Sequence, residues 1–74
     1  MSRDVKNSRM PDAAPLVLEV PWSPAEAWAF AQFLKRVGLD DYRALAIDAD
    51  EAEQMRDAGE KLRAALALHG YAPR

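Results

Sequence analysis

The sequence predicts a mostly α fold: one short N-terminal strand followed by three helices, with the first and third packed as an antiparallel pair. Three observations predict it. Ser23-Pro24-Ala25-Glu26 is a helix start written in full, with an N-cap serine, proline at the first helical position and glutamate at the third. Two apolar stripes at helical spacing follow, separated by a short segment. Between Pro15 and Pro21 lies Leu16-Val17-Leu18-Glu19-Val20, an aliphatic run with hard stops that reads as a strand.

Residues 1–15 are polar, hold two prolines and show no periodicity, so they are expected to form a disordered leader ahead of a single helical domain over 16–74. The strand raises a pairing problem, because its backbone donors and acceptors need partners and no other segment resembles a strand. It pairs with the same strand of a second copy, pairs with another protein's sheet edge, or is only an extended arm.

The first helix is expected to end near Val37, where Lys35 and Arg36 meet the negative end of the dipole and Gly38 takes a left-handed turn. On a helical wheel Ala27, Phe30, Ala31, Phe33, Leu34 and Val37 share one side, and Trp28 falls outside it beside Gln32 and Lys35. Trp22 precedes the cap and can fold over Ala27 as a staple. The second helix is expected from Asp41 to Ile47 with Asp40 as its cap, and Leu39 pairing with Ala44 as a second staple. The third begins at Asp48, with Glu51 completing a box-like pair. It carries Ala52, Met55, Gly59, Leu62 and Leu66 as an a/d stripe. Gly70 stops it, and Tyr71 beyond the stop is placed to contact Leu66 in a Schellman ending.

Composition excludes several function classes. There are no cysteines and one histidine, so neither a disulfide staple nor a Cys/His metal site is available. No apolar run approaches the roughly 20 residues of a membrane span, and the first residues lack a secretion signal, which places the chain in the cytoplasm. Ser–His–Asp, Cys–His and glycine-rich phosphate motifs are all missing, so the expectation is a non-enzyme with no cofactor. The net charge of −2 is concentrated as acid between Asp40 and Glu60, which disfavours phosphate contact by the second and third helices. A small helix-turn-helix DNA-binding regulator is the alternative that this charge weakens, and a purely structural homo-oligomer is another.

The candidate partner-binding residues are Trp22, Trp28, Asp40, Asp41 and Asp50. The tryptophans lie off the core stripe, where they serve as interface anchors or as extra core beneath the strand. The acidic group from Asp40 to Glu53 either mimics a nucleic-acid backbone or supplies two helix caps and a solvated face. Gly59, on a buried stripe, implies close approach of a ring such as Phe30 or Phe33, or of a second subunit. A domain this small gains stability by oligomerising, so a homodimer through the Leu16–Val20 strand or through helix faces is expected.

Ala31-Gln32-Phe33-Leu34-Lys35-Arg36-Val37-Gly38, Asp41-Tyr42-Arg43-Ala44-Leu45-Ala46, Glu51-Ala52, Met55-Arg56-Asp57 and Gly70-Tyr71-Ala72-Pro73-Arg74 follow one another in an order that resembles a group of small uncharacterised proteins of proteobacterial phages, prophages and integrative elements. The likeness covers about residues 16–74. It implies a mobile-element setting and a host protein complex as partner, and it transfers no activity. Inhibitors of host defence, anti-CRISPR proteins among them, belong to that setting.

Overall fold

The computed structural model describes residues 14–74, so the expected leader falls almost entirely outside the described residues. Three helices follow one another: α1 Pro24–Arg36, α2 Leu39–Leu45 and α3 Ala49–Leu68. Both α1 and α2 pack on α3. Trp28, near the start of α1, meets Tyr71 just past the end of α3. Leu34, near the end of α1, lies beside Gly59 in the middle of α3. These contacts set the two helices antiparallel.

The expected strand is absent. Among the described residues no segment is a strand, and Leu16, Val17, Leu18 and Val20 are 55–85% exposed along an arm without regular secondary structure. The physical reason is the one the sequence already posed: a ladder needs a second strand, and the remaining described chain is committed to helices.

α1 begins as expected. The Ser23 hydroxyl accepts from the Glu26 N–H at 3.1 Å, and the Glu26 carboxylate accepts from the Ser23 N–H at 2.8 Å. Its end differs. Val37 closes the helix in extended conformation and Gly38, also extended, serves as the N-cap of α2. Asp41, at the third position of α2, accepts the Gly38 N–H at 2.8 Å. So α2 starts two residues earlier than expected, and Asp40 is not its cap. Leu39 is its first residue and not a staple ahead of it.

α3 is capped by Asp48, which accepts from the Glu51 N–H at 2.8 Å, while Glu51 reaches back to the Ile47 N–H at 2.8 Å. Its far end is a Schellman motif. The Tyr71 N–H bonds the Leu66 carbonyl at 2.9 Å and the Gly70 N–H bonds that of Ala67 at 3.0 Å, with Gly70 at φ 95°. Only glycine adopts that left-handed turn without a Cβ penalty.

The core is a narrow seam. Ala27, Ala31 and Leu34 of α1 close on Leu66 of α3, and Trp22 and Tyr71 pack at its edges. Ala52 is also buried. Gly59 does accept a close ring, but the ring is Tyr42 of α2 and not Phe30 or Phe33. A Cβ at Gly59 would collide with the Tyr42 hydroxyl, lie 3.3 Å from its ring carbon, and sit 3.6 Å from Leu34 Cδ2.

Candidate protein-binding surface

α1 has more apolar surface than α3 can cover. Side chains at 27, 31 and 34 point into the seam, and those at 30 and 33 are turned toward the adjoining flank. The sequence assigns Phe30 and Phe33 to the core stripe, yet Phe30 is 37% and Phe33 50% exposed. They belong to a row of three rings: Trp22 to Phe30 at 5.5 Å between centroids, and Phe30 to Phe33 at 5.1 Å. Both pairs are tilted, within the spacing at which aromatic rings attract.

That row forms one wall of an open groove. Trp22, Glu26, Ala29, Phe30 and Phe33 line its first half, a depression of about 480 Å³. Ala29 and Phe33 continue into the second, of about 520 Å³, with Val37, Tyr42 and Leu45. Arg36 and Asp41 line that second half, so charge along the whole groove comes from Glu26, Arg36 and Asp41. Arg36 donates to the Gln32 amide oxygen at 3.4 Å. Small-molecule sites place a few convergent polar groups around an enclosed apolar pocket. Here the groove is open, with its charges spread along it and not converging.

The five candidate residues are not gathered in one place. Trp22 and Asp41 line opposite halves of this groove. Trp28 lies on the other flank of the seam, 44% exposed and edge-on to Tyr71 at 5.2 Å. Asp40 is exposed and paired with Arg43 at 3.2 Å. Asp50 is exposed in the first turn of α3, where it complements the helix dipole. Asp41 and Asp48 therefore cap helices, and Asp40 and Asp50 are solvated. The sequence did not nominate Phe30, Phe33, Val37, Tyr42 and Leu45 as contact residues.

Among the described residues no group of three or more His, Cys, Asp or Glu side chains is arranged to hold a metal ion, and no helix is long and apolar enough to cross a membrane.

A small three-helix domain with a bare aromatic groove is thus the class of protein the geometry defines. The chain belongs to the DUF7706 family, a family of unknown function whose model matches residues 3–74, a span that takes in nearly all of the leader as well as the helices. No curated protein and no solved structure matches it.

Proposed function

We propose that this protein acts by binding another protein through the groove between Trp22 and Leu45. The observation that carries this reading is the continuous row of Trp22, Phe30 and Phe33, left partly in water although each ring would gain from burial. Aromatic anchors of this kind dominate interface energetics. The proposed role is binding without chemistry.

The setting proposed for that binding is a phage or other mobile element of proteobacteria, in which the chain is an accessory protein that occupies and inhibits a host defence complex. Its support is the order of sequence blocks from Ala31 to Arg74 together with the exposed groove. Affinity capture from host cells, followed by reconstitution with the purified complex, tests both parts. The wild-type protein is expected to bind and depress the complex's activity, and Phe33→Asp to bind at least about tenfold more weakly. Equal inhibition by both proteins removes the groove from the account. A complex that binds without losing activity removes the inhibitory role.

A further inference from the structure

We infer that the groove receives the Leu16–Val20 arm of a second copy of this chain, each copy lending its arm to the other. This goes beyond the proposed function and rests on the groove being a protein-binding surface, for which the second copy's arm and an outside partner compete. Four features of the arm and groove support it.

The arm is largely uncovered by the other described residues, with Leu16, Val17, Leu18 and Val20 exposed at 83, 85, 70 and 55%. Its exit is fixed by a tight turn: the Trp22 N–H bonds the Val20 carbonyl at 3.0 Å across Pro21, an i to i+2 closure that suits the ring's φ. The arm therefore leaves the fold at the groove's own edge, because Trp22 is the first lining residue.

Dimensions agree. An extended run from Leu16 to Val20 covers roughly 13–16 Å at about 3.3 Å per residue. The groove follows α1 from Glu26 to Val37, roughly 16 Å at 1.5 Å per residue. In an extended run Leu16, Leu18 and Val20 share one face, which provides three apolar side chains for an apolar trough.

Area supplies the reciprocity. One five-residue arm in one groove falls short of the roughly 1,200–2,000 Å² of a specific interface, whereas two related by a two-fold axis double the buried surface.

The test is sedimentation equilibrium of the full chain through the micromolar range, with Leu18→Asp in the arm and Phe33→Asp in the groove. Circular dichroism confirms each fold, and Leu45→Asp, at a highly exposed groove position, replaces Phe33→Asp should the latter unfold. The expected result is a wild-type dimer and two monomeric variants. An equimolar mixture of the variants retains one intact arm and one intact groove. It should associate at least about tenfold more tightly than either variant alone and more weakly than wild type. A monomeric wild type overturns the inference. So does a Leu18→Asp protein that dimerises like wild type, which marks a helix-face dimer instead, or a mixture no tighter than its components. These failures leave the proposed function standing wherever Leu18→Asp still captures the host complex and Phe33→Asp does not. Loss of the Phe33 effect alone is the failure of that reading.

Discussion

Two faces of α1, separated by less than half a turn, treat apolar residues in opposite ways. On the seam, Ala27, Ala31 and Leu34 are almost wholly buried against α3. On the flank, the larger Phe30 and Phe33 remain in contact with water. Small side chains let two helix backbones approach closely, whereas a ring at the same place would hold them apart. The seam is therefore built from the residues with least surface to gain, and the residues with most surface are left where another molecule can cover them. In this domain burial reports on the fold, and the exposed aromatic area is what the proposed binding uses.

Substitutions that break the two faces separately sharpen this contrast. Leu34→Ala, in the seam, should cost about 2–4 kcal/mol in urea unfolding, by lost transfer energy plus the space left behind. Ala31→Leu should cost about 1–3 kcal/mol in the same measurement, because Ala31 is fully buried and the helices have nowhere to move. Gly59→Ala sets a helix-propensity gain of about 1 kcal/mol against a collision with the Tyr42 hydroxyl, and a net loss of about 1 kcal/mol is expected. In a double-mutant cycle Tyr42→Phe should recover most of that loss, since it deletes the atom that collides. Removing the first helix cap with Ser23→Ala should cost about 1 kcal/mol. Smallest of all, Leu45→Asp on the flank should shift stability by no more than about 0.5 kcal/mol. A flank substitution as destabilising as Leu34→Ala would erase the distinction between the faces.

How much of this was legible beforehand follows the range of the interactions. Helix starts at Ser23 and Asp48 and the stop at Gly70–Tyr71 were readable, because each is closed by groups within a few residues of one another. The role of Gly38 was misread, since a glycine after Lys35-Arg36 suits either a left-handed stop or an extended cap. The choice was made by the carboxylate of Asp41 three residues on. Leu16–Val20 has strand composition, but a strand is a relation between two segments and composition describes only one. Gly59 announced a close neighbour without naming it, because the second helix packs on the third from a direction that periodicity does not encode.

Phe30 and Phe33 were the costliest misassignment for the candidate site. On an ideal wheel the apolar residues from Ala31 round to Phe33 span an arc of about 160°, wider than the roughly 100° stripe that one neighbouring helix covers. That surplus was the available signal. Its small members, Ala27 and Ala31, marked the half destined for the seam.

The placement of the two indole rings has a practical outcome. Trp28 lies edge-on to Tyr71 where α1 and α3 meet, and Trp22 lies beside Phe30 at the mouth of the groove. Each ring is thus an intrinsic fluorophore in a separate environment. With Trp22→Phe, the remaining emission follows the closing of the helix pair. With Trp28→Phe, emission from the folded protein follows whatever enters the trough, so folding and docking become two optical signals read from one unlabelled molecule.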